Sequence, residues 1–171
     1  MFTILGRLFR HALAPMRLPT LSNDALNRLS SAVASSERAH SGQIRVCVES
    51  RLPVSYLRRP HDIKRIVRQR AAAQFAKLRV WDTEDNNGVL IYLQLAERCI
   101  EIVADRGIQR RVSQEAWQAI VAAMVEPLRR GEQEAALKLA IEQVGQLLAQ
   151  HFPPEFGRPE GNELPDHPAV E

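Results

Sequence analysis

Residues 81–107, WDTEDNNGVLIYLQLAERCIEIVADRG, decide how the rest of the chain is read. An acidic, amide-rich loop (Asp82, Glu84, Asp85, Asn86, Asn87) leads into an apolar segment at 88–95. Glu97 and Arg98 then turn the chain into a second β-type segment at 99–104. Alternate side chains of a strand point to opposite faces, and that period of two is visible twice. Val89, Ile91, Leu93 and Leu95 share one face of the first segment, and Ile100 and Ile102 share one of the second. Leu90 and Tyr92 fill the opposite face, so 88–95 reads as a central strand covered on both sides. The two segments are expected to pair as an antiparallel hairpin with Val89, Ile91 and Leu93 buried. Its lead-in loop and its exit, Asp105-Arg106-Gly107, then fall at the same end.

Upstream, Ser22 or Asn23 can cap a helix burying Ala25, Leu26, Leu29 and Val33. Residues 43–49 alternate Ile44, Val46 and Val48 with Arg45, Cys47 and Glu49, a strand with one less buried face. Residues 51–60 read as a loop held by Pro53 and Pro60, and 61–80 as a long helix. That helix turns Ile63, Ile66, Val67, Ala71, Phe75 and Leu78 inward and carries Lys64, Arg65, Arg68, Arg70, Lys77 and Arg79 outside. Downstream, Ser113 can cap a helix with Trp117, Ile120, Val121, Met124 and Leu128 inward, its last turn kinked at Pro127. A last helix over 132–150 presents Ala135, Ala136, Leu139, Ala140, Val144, Leu147 and Leu148. The order helix, strand, helix, strand, strand, helix, helix predicts a small mixed β-sheet flanked by helices on both faces, an α/β fold.

Three stretches are expected: an amphipathic arm and linker over 1–20, one α/β domain over 21–152, and a disordered Pro-rich tail over 153–171. Residues 1–13 place Phe2, Leu5, Phe9 and Ala12 on one helical stripe, to pack on the domain or lie on an anionic membrane. No run of 18 apolar residues exists and the arm lacks a secretory pattern, so a cytoplasmic protein is expected. Cys47 and Cys99 form no Cys-x-x-Cys pair and read as reduced, buried thiols. Charge is uneven: residues 1–80 hold 15 Lys/Arg against 4 Asp/Glu, and 81–171 hold 8 against 16. Such halves suit complementary surfaces of one fold, or an anionic partner for one of them. The basic helix has no aromatic residue among its outer charges, so nucleic acid is not the expected partner.

The hairpin resembles the TPM domain family, named for a thylakoid lumen protein, a photosystem II repair protein and an acetylcholine-receptor modulator. The resemblance rests on Asn87-Gly88-Val89-Leu90-Ile91, Ile100-Glu101-Ile102 and Gly107-Ile108, and spans roughly 21–152. It implies a small bacterial-type member with a Rossmann-like α/β/α sandwich. Many members carry a Gly-Tyr-Gly-Leu-Glu-type loop after the second strand, where this chain has Ala104-Asp105-Arg106-Gly107-Ile108. Some are described as acid phosphatases or metal binders, which bears on the acidic loop.

Hard cations need several oxygen ligands, and Asp82, Glu84 and Asn86 offer them at alternate positions. The loop is not an EF-hand, because Leu93 stands where that motif needs its bidentate Glu. If Asp105 folds back beside it, Asp82, Glu84 and Asp105 are the expected ligands of one calcium or magnesium ion. The alternative is a solvated turn whose Asp and Asn side chains satisfy local backbone. Neither a zinc spacing among the histidines nor a nucleophile elbow at His40-Ser41 is present. Three functions remain open. The first is a module that binds or modulates another protein. The second is a weak metal-assisted phosphatase, in which the ion polarises a phosphoryl oxygen or activates water. The third is a peripheral membrane protein docked through residues 1–13.

Overall fold

Strand β1, Gln43–Glu49, is the strand on which the sheet is assembled. The computed structural model describes residues 6–8, 11, 21–154 and 162–171. Strand β2, Gly88–Gln94, pairs in parallel with β1 over seven residues, from Gln43↔Gly88 to Glu49↔Gln94. Strand β3, Cys99–Ala104, pairs antiparallel with β2, from Val89↔Ala104 to Gln94↔Cys99. The expected hairpin is therefore present, with Val89, Ile91 and Leu93 fully buried. Arg98 takes a positive φ of 49° in its turn. A two-residue strand β4, Ala169–Val170, runs parallel to the other side of β1 and completes the order β3-β2-β1-β4.

Helix α1, Asn23–Glu37, precedes β1 and is capped by Ser22, whose hydroxyl accepts from the Ala25 amide at 3.2 Å. Helices α2, Val54–Leu57, and α3, Ile63–Lys77, carry the chain from β1 to β2. After β3 come α4, Arg106–Gln109, α5, Gln114–Arg129, and α6, Gln133–His151. Pro127 lies inside α5 two residues from its end, where its missing N–H leaves the Ala123 carbonyl without its i+4 donor. The chain leaves α5 through Gly131, whose φ of 78° suits a residue without Cβ.

The sheet divides the apolar side chains into two cores. Ile44, Val46, Val48, Val89, Ile91, Leu93, Ile100 and Ile102 face α1, α5 and α6. Cys47, Leu90 and Tyr92 face α2 and α3, with Leu52, Ile66, Val67 and Ala71. Each large aliphatic side chain so buried contributes roughly 1.5–3 kcal/mol. The result is an α/β/α sandwich. Ion pairs Arg28–Glu134, Arg68–Glu101 and Lys77–Glu171 join the basic half of the chain to the acidic half.

The structure departs from the sequence reading at four places. The second face of β1 is as buried as the first, because α3 and the C-terminal segment cover Arg45, Cys47 and Glu49. Arg70, expected outside, turns inward to pair with Glu49. Residues 51–60 include the short helix α2. In the stretch expected to be disordered, residues 162–171 are instead held against β1. Polar contacts do much of that holding: Arg45 donates to the carbonyls of Pro165 and His167, while Leu164 is buried and Ala169 packs against the second core. Apolar periodicity, which the tail lacks, gives no sign of such bonds. Of the arm, residues 6–8 and His11 are helical; the rest of the helix expected over 1–13, and the linker prolines, lie outside the described residues.

Candidate functional site at the acidic end of the hairpin

The loop before β2 is shaped by its own polar groups. The Asn87 amide donates to Thr83 Oγ1 at 3.1 Å, and Asn86 adopts a positive φ of 53°. Across the hairpin, the Asp105 amide donates to the Gly88 carbonyl and the Gly107 amide to the Asn86 carbonyl, both at 2.9 Å. The approach is close enough to require glycine. A Cβ on Gly107 would stand 2.5 Å from the Asn86 carbonyl oxygen and 2.6 Å from that of Asp85. Loop and exit therefore do converge, at residues 85–88 and 105–107.

The three carboxylates read from the sequence have different surroundings. Asp82 is exposed and paired with Arg79 at 2.5 Å. Glu84 receives the tail, its amide donating to Glu163 Oε2 at 2.9 Å. Asp105 is only 5 % exposed and caps α4, its Oδ1 accepting from the Arg106 amide at 2.6 Å. Among the described residues, no three His, Cys, Asp or Glu side chains are grouped to hold a metal. Asp105 Oδ2 and Asn87 Oδ1 are both buried and both without a hydrogen-bond partner. Asp105 is bonded through its amide to Gly88, the residue after Asn87. Asn87 is held by its Nδ2, which donates to the Ser41 carbonyl at 3.1 Å, so its oxygen is left as the free acceptor. The sequence shows Asn87 only as one amide in a polar loop; its complete burial directly before an apolar strand is what sets it apart.

Beside this end, Glu37 accepts from the Ile44 amide at 2.7 Å and shares a hydrogen bond with Asp166. Burial pushes its carboxyl up to about 8, so it stays protonated at neutral pH. His40 is held by Ser36 Oγ at 3.1 Å and the Gly42 carbonyl at 3.0 Å, and burial lowers its pKa. The ring is thus neutral, donating through Nδ1 and accepting through Nε2. At the opposite end of the sheet, the Leu52 amide donates to His11 Nδ1 at 3.0 Å. This fixes the proton on Nε2, which donates to Glu97 at 2.9 Å.

A helix-covered mixed sheet with a polar loop closing one end of a buried hairpin defines a small α/β/α domain. Residues 19–147 match the TPM domain, and the chain belongs to that family. It is similar to the BA42 protein from the psychrophilic bacterium Bizionia argentinensis, whose NMR structure it matches with a TM-score of 0.72 at 27 % identity. The match covers 90 % of this chain and 97 % of that one. Among curated proteins no match is found. Cys47 and Cys99 are free thiols, and burial pushes Cys47 up to about 12. No helix among the described residues is long and apolar enough to cross a membrane.

Proposed function

We propose that this domain is a binding module that takes a divalent cation, calcium or magnesium, at the acidic end of its hairpin and there engages another protein. The supporting observation is the pair of buried, unpartnered acceptors, Asp105 Oδ2 and Asn87 Oδ1. A buried carboxylate oxygen left without a partner is costly, and a hard cation satisfies it. Both donors are oxygens, the chemistry these ions prefer over nitrogen or sulfur. Two protein side chains leave most of the coordination sphere open, to water or to a partner's carboxylate. Asp82 and Glu84 in the adjoining loop then add negative potential rather than direct ligands.

Metal-assisted phosphate ester hydrolysis is the second reading. It is weaker because the polar side chains closest to the loop already have partners: Thr83 accepts from Asn87, and both ring nitrogens of His40 are bonded. A base must have a free nitrogen or oxygen facing its proton.

Calorimetric titration with calcium and with magnesium tests the reading. Binding is expected with a dissociation constant on the order of 0.1–1 mM, with shifts of the Asn87 and Gly107 amide resonances. Asp105→Asn keeps the helix cap but removes the charge, and is expected to abolish both. Absence of heat and of shifts in the wild type at a hundredfold higher concentration overturns it. Turnover of a simple phosphomonoester that Asp105→Asn abolishes establishes hydrolysis instead.

A further inference from the structure

The end of the sheet opposite the acidic loop carries the contrary charge. β1 and β2 run parallel, so the segments that follow them, 50–62 and 95–98, emerge at one end. His11 ties the two together, accepting from the Leu52 amide at 3.0 Å and donating to Glu97 at 2.9 Å. Arg51 and Arg98, the neighbours of those two residues, are both exposed. Arg58, which ends α2, and Lys64 and Arg65, in the first turn of α3, are exposed as well. Lys64 stands close enough to Cys99, the first residue of β3, for its charge to act on that thiol. Val54, at the start of α2, is 52 % exposed on the same loop.

These cations have no carboxylate to answer them. Arg28, Arg68, Lys77 and Arg79 are likewise exposed, and each forms an ion pair. Among the described residues, Arg51, Arg58, Lys64, Arg65 and Arg98 form none. The acids at this end are already engaged: buried Glu49 with Arg70, buried Glu97 with His11, and Glu101 with Arg68. Asp62 caps α3, accepting from the Arg65 amide at 2.9 Å. The face is also held in shape. Arg59 stacks on Tyr56 at 3.8 Å and donates to Gln69 at 2.6 Å, fastening α2 to α3. Like charges on a fixed frame repel, and an anionic partner relieves that repulsion without first having to order the frame.

We propose that this face, formed by loop 51–62, the first turn of α3 and the β2–β3 turn, docks a carboxylate-rich segment of a partner protein, with one apolar residue of that segment against Val54. Four of the five cations are arginines, whose forked donors match a carboxylate two bonds at a time. Nucleic acid fits less well, because the one aromatic residue here, Tyr56, has its ring covered by Arg59 and so offers no platform for a base. A bilayer fits less well too: Val54 is a single apolar side chain, and Leu8 of the arm packs inward on the second core. The face lies at the opposite end of the sheet from the cation site, and the inference does not rest on that site.

The test uses the full chain in metal-free buffer, which keeps failure here separate from failure of cation binding. The probe is the fluorescein-labelled peptide Glu-Glu-Leu-Glu-Glu, followed by anisotropy. It is expected to bind at low salt and to weaken about tenfold when the salt is raised fourfold. The pair Arg58→Glu and Arg98→Glu should weaken it about a hundredfold, and the milder pair Arg58→Gln and Arg98→Gln about tenfold. Both side chains are exposed and unpaired, so melting temperatures should stay at the wild-type value. Val54→Ser and a Leu-to-Ser change in the probe should each cost about threefold, and together no more than either alone. Arg130→Glu, on the distant end of α5, should change nothing. Any of three results overturns the proposal: no binding at millimolar chain, the same loss from Arg130→Glu as from the Arg58 and Arg98 pair, or tighter binding of a twelve-residue oligothymidylate or of phosphatidylserine vesicles than of the peptide.

Discussion

The guanidinium of Arg70 clasps the buried carboxylate of Glu49, with Nε 3.0 Å from both oxygens and Nη2 2.6 Å from Oε1. The Tyr92 hydroxyl donates to the same carboxylate from the neighbouring strand. Burial and the Glu49 charge together hold the Tyr92 phenol well above its ordinary value, while Glu49 raises Arg70. One carboxylate thus ties α3 to β1 and β2. Removing one partner of a buried pair leaves the other charged and unmatched, which costs about 3–5 kcal/mol. Arg70→Met is expected to fall in that range by urea denaturation. The double variant with Glu49→Gln should recover most of the loss; additive losses would show that the two side chains act separately.

His11 anchors the N-terminal arm through Leu52 and Glu97, and Leu8 packs against the second core beside it. His11→Ala removes the acceptor of the Leu52 amide and one partner of the Glu97 carboxylate, at about 1–3 kcal/mol for the amide left unsatisfied. Chemical denaturation measures that loss. The same variant tests the membrane reading of residues 1–13. An arm held by His11 is occupied, so sedimentation with anionic vesicles should pull down His11→Ala and leave the wild type in the supernatant. Equal recovery of both in the supernatant removes the membrane from consideration.

Glu37 sets a pH dependence. Its folded pKa of about 8 lies above the ordinary 4.5, so the folded state holds a proton that the unfolded state releases. Stability is therefore greatest below about 4.5 and falls as pH rises to about 8, beyond which this contribution is flat. Glu37→Gln keeps the bond from Ile44, donates to Asp166, and removes the dependence. At pH 8 the variant should be more stable by an amount on the order of 4 kcal/mol, with the difference shrinking toward pH 5. Parallel melting temperatures across that range would sink the argument.

Gly107→Ala forces a Cβ into two carbonyl oxygens at 2.5 and 2.6 Å. The loop must move away from Asp105, and a destabilisation of about 2–4 kcal/mol is expected. Calcium binding should weaken as well, because Asn87 travels with the loop. A variant with wild-type stability would mean that the contact yields more readily than its backbone bonds suggest.

The hairpin, the helix caps at Ser22 and Ser113 and the two-faced sheet were legible because each follows a local rule of alternation or capping. Arg45 and Glu49 misled for the same reason. Alternation marks charged positions as outward, but here both are buried and satisfied by groups distant in sequence, the Pro165 and His167 carbonyls and the Arg70 guanidinium. The site was half legible. That the loop meets the hairpin exit follows from hairpin geometry; that Asn87 and Asp105 are buried while Asp82 is exposed depends on tertiary cover, which residue type alone does not give.

Pairing Cys47 with Ala169 joins positions roughly 120 residues apart, whereas the β2–β3 hairpin closes over a four-residue turn. Loop closure of that length is returned by only two ladder pairs, so β4 is expected to dock late in folding. Until it does, β1 offers a bare edge seven residues long to any other nascent chain. Arg45 in the middle of that edge is then a gatekeeper: a charge that an incoming strand must meet with acceptors set where the native tail sets two carbonyls. The residue that fastens the finished sheet is also the one that keeps the unfinished sheet from joining a stranger.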